Sequence, residues 1–465
     1  MIRFYNTLSR KKEKLAPIKR GAIKFFACGP TVYDEPHLGH GRTYITFDMI
    51  VNFLRYNGYD VTYLQNITDI DDKIIRRAEE QNAEVTDISR HWESEYHRIE
   101  KKLKIKSVTK YARATDYIPE IINQILHLEK NNFTYATHGN VYFNVNAFPR
   151  YGMLSHQKTK NLRKAVRIEE DPYKKNFLDF ALWKTHKEGE PFWQSPWGEG
   201  RPGWHIEDTA ITEKEFGPQY DIHGGGGDLL FPHHESEIAQ MEGASGLSPM
   251  VRCWLHTGLI NVNNEKMSKS LKNFITMKDV LSIFGTDTFR FWIAQHHYRS
   301  PINYEPEALS HAQNALAKIQ EFLNNLSAVK IEKASGDTMA GRTISSFKKK
   351  ILEHLENDFN TPRAIAEIFS FMKQMNARLT QGTLTAKRAA DILDFFKELD
   401  TIFIFFFSAV QEEEIPKKVT ELLEQRKKAR EEKIWGDSDR LRDEIKSLGY
   451  TVEDTIDGQR IKKDA

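Results

Sequence analysis

The chain has 465 residues, which is too many for one simple core and predicts about three or four domains. Its content of 40% apolar and 28% charged residues is ordinary for a globular protein, and no apolar run approaches the roughly 20 residues that cross a bilayer. Two cysteines exclude a disulfide framework, and 67 basic against 65 acidic residues neither require nor exclude a nucleic-acid partner.

The first part of the chain has the pattern of a strand, a helix and a second strand. Ile23 to Ala27 is a short apolar run that ends at Cys28-Gly29-Pro30, and apolar residues recur at helical spacing over 47–54. Val61 to Ile67 then predicts a second strand. Because a crossover helix between two strands makes them parallel, we expect a doubly wound α/β domain. Residues 73–130 look helical.

The sequence pattern changes at about residue 131. A short strand is indicated at Asn140 to Val145, followed by a tryptophan-rich loop from Trp183 to Trp197. Strand signals of the first type resume at Tyr220 to His223. We therefore expect that an insertion splits the parallel sheet.

The remainder of the chain is predicted to be mostly helical. Helical periodicity covers 300–408, with a polar loop near Lys333 to Arg342. A boundary is expected at 412–416. The residues that follow, 417–465, predict a charged helix pair ending in a hairpin over Tyr450 to Ile461.

Two histidines, His37 and His40, stand in the sequence HLGH at the start of a predicted helix. Helix N-termini bind phosphates because their free N–H groups and positive dipole end face the ligand. Two imidazoles can stabilise charge on a phosphoryl oxygen, and Gly39 allows close approach. An isolated match of this kind is more often a structural loop.

A second loop, KMSKS at 266–270, follows about 230 residues later. The ammonium groups of Lys266 and Lys269 can hold departing pyrophosphate on a loop that still releases it. Alone, such a sequence is usually a solvated turn. Both loops in this order, each beside strand and helix signals, indicate an enzyme that uses ATP.

Between the two loops, His223 is followed by four glycines and Asp228. A run so poor in side chains, including Gly225, would let a flat base lie on the backbone, and Asp228 could accept ribose hydroxyls. The alternative is a flexible glycine linker. Neither a Walker sequence nor a complete dinucleotide-binding fingerprint is present.

A metal site is suggested by residues from distant parts of the chain. His233 and Glu237 are four apart on a predicted helix and share a face. Cys28 ends a strand, and Asp208 follows an aromatic segment. These four can meet where strand ends and helix starts converge, although a surface His–Glu pair is the commoner explanation of such spacing.

Seven motifs in register carry a resemblance to a known family. They are CGPTVYD at 28–34, HLGH at 37–40, NITDIDDK at 66–73, GWHIE at 203–207, HGGGGD at 223–228, FPHHE at 231–235 and KMSKS at 266–270. Together they resemble cysteinyl-tRNA synthetases of the bacterial type, which are class I aminoacyl-tRNA synthetases.

The resemblance implies an α/β fold class with a Rossmann-like parallel sheet split by a connective insertion, then an α-helical bundle and a small C-terminal α+β anticodon-binding domain. The implied segments are the two halves of the catalytic domain at 1–120 and 201–260, the insertion at 121–200, a stem-contact fold with the KMSKS loop at 261–315, the bundle at 316–410 and the anticodon-binding domain at 417–465.

The resemblance also implies the reaction and its cofactors. L-cysteine and ATP, with magnesium, would give cysteinyl-adenylate and pyrophosphate, and cysteine would pass to the 3′ adenosine of cysteine tRNA. One zinc, held by Cys28, Asp208, His233 and Glu237, would distinguish thiol from hydroxyl. The family normally has cysteine where this chain has Asp208. The ligand charge is unchanged by an ionised aspartate, so we expect zinc to be retained; the alternative is a three-ligand or empty site.

Individual roles follow from the same resemblance. Residues implied to bind ATP are Thr31, His37, Gly39, His40, His223, Gly225, Asp228, Lys266 and Lys269, of which His37, His40, Lys266 and Lys269 would be catalytic. Residues implied to bind cysteine are Cys28, Thr68 and Trp204. The basic residues around Trp435, including Arg426 and Arg430, could bind tRNA phosphates, although a solvated charged helix is the commoner explanation of such a pattern. The resemblance implies that Trp435 stacks on an anticodon base. Lys272, where the family usually has glycine, is a second departure.

Two alternatives stay open from the sequence. One is a cysteine ligase paralogue that acts on an amino sugar, against which the C-terminal module 417–465 speaks. The other is a non-catalytic RNA-binding paralogue, which Asp208 favours and the two intact loops oppose. The resemblance implies a monomer, and the composition favours a cytoplasmic protein without a membrane partner.

Overall fold

The computed structural model of the chain describes residues 1–157, 171–267, 273–334, 336–407, 417–431, 434–455 and 458–463. These residues belong to two compact units, Met1–Phe407 and Ser408–Ala465. Residues 268–272, which include Lys269 of the KMSKS loop and Lys272 beyond it, lie outside the described residues.

The strands are, in chain order, β1 (Arg3–Asn6), β2 (Lys11–Lys14), β3 (Ala22–Ala27), β4 (Asp60–Ile67), β5 (Lys110–Arg113), β6 (Thr134–Thr137), β7 (Asn140–Phe143), β8 (Phe180–Thr185), β9 (Gly200–Pro202), β10 (Tyr220–Gly226), β11 (Val251–Thr257), β12 (Ile260–Val262), β13 (Glu265–Lys266), β14 (Ile302–Tyr304), β15 (Tyr450–Thr455) and β16 (Gly458–Lys463).

The α-helices are α1 (Leu38–Tyr56), α2 (Asp72–Gln81), α3 (Val85–Lys102), α4 (Ile118–Lys130), α5 (Trp204–Phe216), α6 (Glu235–Ser245), α7 (Met277–Ala294), α8 (Pro306–Ser327), α9 (Asp337–Glu356), α10 (Thr361–Thr380), α11 (Ala386–Phe403), α12 (Lys417–Glu431) and α13 (Trp435–Ser447).

A five-stranded parallel sheet lies at the centre of the first unit, in the order β11–β10–β3–β4–β5. Its strands carry apolar side chains on both faces: Phe25 packs in one hydrophobic cluster and its neighbour Phe26 in another. The predicted α/β class is confirmed, and the sheet is split, because β3 to β5 precede the insertion and β10 and β11 follow it. The expectation that 73–130 is entirely helical was wrong, since β5 lies within it.

The insertion contains a four-stranded antiparallel sheet in the order β6–β7–β8–β9. Trp183 was expected in a loop but lies in β8 with 0% of its surface exposed. Its neighbours, Phe180 and Leu182, are also buried, so the aromatic residues of this stretch form the core of the insertion. Of the loop predicted from Trp183 to Trp197, only the residues after Thr185 lie outside β8.

Two buried arginines join α1 to later parts of the first unit. Arg42 is 1% exposed and donates to the carbonyls of Leu259 at 2.9 Å and Tyr298 at 3.2 Å, and also to that of Ser300. Arg290, on α7, donates to Asp48 at 2.7 Å. A folded protein is strongly destabilised when a buried ion pair loses one of its partners. The helix that begins at the histidine loop is therefore held firmly.

Helices α8 to α11 form the predicted helical region. The loop predicted near Lys333 to Arg342 is shorter than expected, because α9 begins at Asp337. Arg388 of α11 donates to Asp337 Oδ2 at 2.8 Å, which fixes the start of α9. No helix within the described residues is long and apolar enough to cross a membrane.

The second unit consists of α12, α13 and the antiparallel hairpin β15–β16. Apolar residues from both helices and from β15 form its small core. The predicted helix pair and terminal hairpin match these elements.

Candidate active site and metal centre

The loop after β3 is held against the end of β4. The Gly29 N–H donates to Asn66 Oδ1 at 2.5 Å, and a Cβ atom on Gly29 would lie 1.7 Å from the Asn66 carbonyl oxygen, so only glycine fits. The Cys28 N–H donates to the Gly224 carbonyl at 3.0 Å. These contacts fix Cys28 at the carboxyl edge of the sheet, between β4 and β10.

The two histidines of HLGH form a reciprocal cap on α1. The Gly39 N–H donates to His37 Nδ1 at 3.1 Å, and the His37 N–H donates to His40 Nδ1 at 3.3 Å. Because each Nδ1 accepts a hydrogen bond, the proton of each neutral ring lies on Nε2. Burial lowers the pKa of His37 to about 4 and holds the pKa of His40 well below its ordinary value. Both rings are therefore neutral N–H donors near pH 7.

A cavity of about 530 Å³ opens beside this cap. The predicted site residues that line it are Cys28, Thr31, His37, Gly39, His40, Trp204 and Asp228. A larger cavity of about 730 Å³ lies next to α3, and none of the predicted site residues lines it. The smaller cavity is thus the one that gathers the predicted chemistry.

The segment that follows the KMSKS loop returns to the histidine loop. The Met277 N–H donates to the Pro36 carbonyl at 2.8 Å, and the Leu38 N–H donates to the Ile275 carbonyl at 3.2 Å. Met267 and Phe274, which flank the undescribed residues, both line the cavity. The two predicted ATP loops are therefore neighbours in space.

Lys266 and Lys269 differ in what the structure describes of them. The backbone of Lys266 lies in β13, paired with Asn261 of β12. Lys269 lies outside the described residues. The predicted contacts of both lysines with phosphate stay predictions.

The glycine run belongs to β10 rather than following it. A Cβ atom on Gly224 would lie 2.6 Å from the Phe47 ring, and one on Gly225 would lie 2.5 Å from the His234 ring, so these glycines allow close packing behind the cavity. Gly226 and Asp228 reach the cavity. The predicted approach of ATP to Gly225 stays a prediction.

His223 does not line the cavity. Its ring is 0% exposed, stacks on Trp254 with 4.3 Å between centroids, and has Nδ1 2.7 Å from the Tyr220 hydroxyl. The strand places this ring in the core, and the predicted contact of His223 with ATP stays a prediction. The His223 Nε2 faces Glu237 Oε2 at 3.5 Å.

Trp204 and Asp208 share one face of α5, four residues apart. The Trp204 ring lines the cavity and stacks on the His233 ring, with 4.2 Å between centroids and 14° between planes. Asp208 is 1% exposed and lies deeper. The helix thus supplies one residue to the wall of the cavity and one to its base.

The predicted metal ligands meet around His233 Nε2 next to the cavity, in a region that we call its base; of the four, only Cys28 lines the cavity. Cys28 Sγ lies 3.4 Å from this nitrogen, Asp208 Oδ2 3.1 Å and Glu237 Oε1 3.1 Å. Adjacent ligand atoms of a tetrahedral zinc site are separated by about 3.3 to 3.6 Å, given bonds of about 2.0 to 2.3 Å. Cys28, Asp208 and His233 offer ligand atoms that all lie within 4.8 Å of one another, which fits a cation, and Glu237 approaches this group through His233.

Charge and hydrogen bonding support the same interpretation. Burial, together with Asp208 and Glu237, raises the pKa of Cys28, and burial with Asp208 raises the pKa of Glu237. Neither carboxylate oxygen of Glu237 has a hydrogen-bond partner among the described residues. Its close contacts are ion-pair contacts with histidine nitrogens, at 3.1 Å from His233 Nε2 and 3.5 Å from His223 Nε2. Acidic groups buried this close together are costly to ionise, and a bound divalent cation would lower that cost. The residues present therefore fit a metal.

Glu237 falls in a second group of buried ligand atoms, apart from the group of Cys28, Asp208 and His233. The nitrogens of His223 and His234 lie with it within 4.8 Å of one another, just as the atoms of Cys28, Asp208 and His233 do in the first group. His234 Nε2 is 4.0 Å from Glu237 Oε1. Imidazoles therefore flank the carboxylate on the side away from the cavity.

His205 fixes the orientation of the His233 ring. The two Nδ1 atoms are 2.8 Å apart, and when His233 offers Nε2 to a metal its proton lies on Nδ1 and is donated to His205. Gln240 in turn donates to the His205 carbonyl at 2.6 Å. The sequence analysis missed His205, although it stands within GWHIE.

Thr68 lies behind the cavity rather than on its wall. It is 2% exposed, and its hydroxyl donates to Glu207 Oε2 at 3.0 Å. Its backbone forms a bridge with Thr31, which does line the cavity. The predicted contact of Thr68 with cysteine stays a prediction.

The predicted tRNA residues of the second unit differ in exposure. Trp435 opens α13 with 57% of its surface exposed, and the Arg430 guanidinium lies 5.9 Å from its ring centroid. Arg426 is 1% exposed and donates to Gln459 Oε1 at 2.6 Å. Packing of the hairpin thus encloses the Arg426 side chain, and its predicted contact with tRNA stays a prediction.

Comparisons with known proteins agree with this geometry. The family model for the tRNA synthetases class I (C) catalytic domain matches residues 14–314, that for the DALR domain matches 350–407, and that for the cysteinyl-tRNA ligase anticodon binding domain matches 412–461. The anticodon-domain match disfavours the amino-sugar ligase alternative.

Curated relatives align over nearly the whole chain. A cysteine–tRNA ligase of Caldicellulosiruptor saccharolyticus is 40% identical over 99% of this chain and 100% of its own length. One of Methanococcus maripaludis is 43% identical over 98% and 97%. Among solved structures, Mycobacterium tuberculosis methionyl-tRNA synthetase with methionyl-adenylate has a TM-score of 0.61 and 17% identity, covers 82% of this chain and 88% of its own, and shows the fold alone. The chain belongs to the cysteine–tRNA ligases, within the class I aminoacyl-tRNA synthetases.

Proposed function

We propose that the chain joins L-cysteine to cysteine tRNA in two steps. The cysteine carboxylate attacks the α-phosphorus of magnesium-bound ATP, the bond to the β-phosphate breaks, and pyrophosphate leaves. A hydroxyl of the 3′ adenosine of the tRNA then attacks the carbonyl carbon of cysteinyl-adenylate and releases AMP. The family relationship supports this reaction, and the geometry of the cavity suggests how it occurs.

One observation carries the proposal. Cys28 Sγ, Asp208 Oδ2 and Glu237 Oε1 all lie within 3.4 Å of His233 Nε2, at the base of the cavity that His37 and His40 line. A ligand that fills this cavity would have its side chain at the metal site and its carboxylate near the two N–H donors. That is the arrangement needed to activate an amino acid chosen by its thiol.

The histidine cap would act on the phosphates. Neutral imidazoles with Nδ1 already occupied can only donate from Nε2, so His37 and His40 would stabilise charge on phosphoryl oxygens without transferring a proton. Lys266 and Lys269 would hold pyrophosphate as it departs. Asp228 and Thr31, on the same cavity wall, would bind the nucleoside.

Cys28, Asp208, His233 and Glu237 would hold zinc. When bound, zinc supplies a soft Lewis acid that binds a thiolate far better than a hydroxyl and so distinguishes cysteine from serine. With Asp208 ionised, the three anionic ligands carry the same total charge as when cysteine occupies that position. Trp204, stacked on His233, would close one side of the cysteine pocket.

The second unit would bind the anticodon region. Trp435 is exposed at a helix start, with the Arg430 guanidinium near its ring, a combination that stacks an unpaired base and binds phosphate. We further propose a cytoplasmic monomer with the segments given from the sequence. The division of the chain after Phe407 supports the boundary that precedes the anticodon-binding domain.

ATP–pyrophosphate exchange tests the activation step. We expect exchange that depends on cysteine, that serine does not support, and that a strong chelator abolishes until zinc is restored. Charging of tRNA with labelled cysteine tests the second step. Exchange that serine supports as well as cysteine, or that survives complete removal of metal, would contradict the proposed role of the site.

A further inference from the structure

Asn66 lies at the end of β4 and connects the loop after β3 to α5. Its Oδ1 accepts from the Gly29 N–H at 2.5 Å, and its Nδ2 donates to Asp208 Oδ1 at 2.6 Å and to Thr68 Oγ1 at 3.3 Å. A backbone N–H can only donate and an ionised carboxylate can only accept, so the orientation of the amide is fixed. Flipping it would break both bonds.

The two oxygens of Asp208 therefore have different partners. Oδ1 is held by Asn66, whereas Oδ2 lies 3.1 Å from His233 Nε2, among the other metal-ligand atoms. Asn66 and Asp208 are each 1% exposed, so water does not compete for the bond between them. A hydrogen bond to a buried carboxylate is among the stronger ones in proteins.

The different partners of the two Asp208 oxygens matter because a carboxylate has two atoms that can bind a metal, whereas a thiolate has one. Carboxylates bind cations through one oxygen or through both. Substrate-binding zinc sites keep a position free of protein ligands. An aspartate that turned both oxygens toward the metal would fill the position that a substrate sulfur requires. A cysteine at 208 could not do this.

We propose that Asn66 is a positioning residue that keeps Asp208 a one-oxygen ligand and thereby leaves the metal open to the thiol of cysteine. The inference rests on the proposed function, and it follows from the aspartate at position 208. Glu237 has no comparable hydrogen-bond partner among the described residues, so the restraint is particular to Asp208.

Cobalt(II) is the probe, since its visible d–d bands weaken as the coordination number rises. The full-length chain is loaded with cobalt alone, and cobalt content, band intensity and the affinity for cysteine are measured. The wild type should show the intense bands of four-coordinate cobalt. Asn66→Ala should weaken these bands and weaken cysteine binding about 10- to 100-fold, as is typical for loss of a residue that orients a ligand.

The Asp208→Cys background isolates the bond in question. In that background Asn66→Ala should weaken the bands and cysteine affinity clearly less than it does beside Asp208, because the lost contact with Gly29, which helps to fix Cys28, is the only part of the change common to both backgrounds. Asn66→Leu, which keeps the volume, repeats the test if the alanine variant folds poorly, and thermal melting reports folding.

The outcomes separate the inference from the proposed function. Weak bands in the wild type, unchanged bands in Asn66→Ala, or equal losses in both backgrounds would overturn the inference alone. A folded wild type that retains no metal would overturn the proposed function, and this inference with it.

Discussion

The two ends of the cavity treat buried polar groups in opposite ways. At the mouth, His37 and His40 satisfy each other's backbone through their Nδ1 atoms, and burial keeps both rings neutral. At the base, anionic groups converge on His233, and the oxygens of Glu237 have no hydrogen-bond partner among the described residues. The first arrangement is complete within the chain. The second fits a cation.

The histidine cap is built by the folded chain alone, whereas the proposed metal site would also need a bound cation. Neutral N–H donors can be preorganised by helix capping alone, because they bring no charge into the interior. A site that senses sulfur needs a soft metal, and holding a metal requires several anions close together. Changes at the two ends should therefore be separable in metal content, folding and activity.

The largest effect is expected at the base. His233→Ala removes the atom around which the other ligands gather, so zinc content should fall far below that of the wild type and cysteine-dependent exchange should be lost. Zinc is measured by metal analysis after dialysis. His127→Ala, at an exposed site on α4, is the matched control and should change neither quantity. A His233→Ala chain that keeps its zinc would show that His233 is not needed to hold the metal.

At the mouth, His37→Asn should cost activity while leaving metal intact. Asparagine is a good helix cap but is too short to replace the Nε2–H donor, so the melting temperature should change little. The kcat of exchange should fall about 10²- to 10³-fold, as for loss of one donor to a developing anion. A parallel loss of zinc would show that the two ends are not independent.

A variant in the second unit tests a function separate from both ends of the cavity. Trp435→Ala should raise the KM for tRNA about 10- to 100-fold, in line with the stacking energy of one base, and leave exchange and zinc unchanged. Leu448→Ala, another exposed apolar site in the same unit, serves as control. Equal losses of charging and exchange would refute this division of labour.

The smallest effect concerns acid stability. The pKa of His37 is lowered from 6.5 to about 4 in the folded chain by burial. The unfolded chain therefore binds the proton first, and the free energy of unfolding should fall as pH drops from 6.5 to 4. His37→Asn removes the imidazole whose pKa differs between the folded and the unfolded chain. The melting temperature of this variant should therefore fall less than that of the wild type as the pH drops from 6.5 to 4. Identical pH profiles for the two proteins would mean that the ring is not buried neutral.

The sequence predicted the parts of the site that short motifs encode. His233 and Glu237 share a helix face by spacing, and His37 and His40 open a helix, as their loop suggests. The meeting of Cys28 and Asp208 could only be suggested, because 180 residues and an inserted sheet lie between them in the chain. Their proximity depends on the parallel pairing of β10 with β3.

Other features could not be read from the sequence because they depend on tertiary packing. The four residues of β5 are too few to show periodicity, so the strand was missed. Arg426 looked like part of a basic face, yet the hairpin encloses it. The importance of Asn66 is visible only once β4 and α5 are adjacent.

The zinc content of the wild-type chain tests the central claim most directly. The protein is purified, dialysed against metal-free buffer, shown to be folded by its thermal transition, and analysed for metal. The structure leads us to expect close to one zinc per chain, held with Asp208 in place of a cysteine. A folded chain with far less than one zinc, and no gain on adding it, would contradict the account.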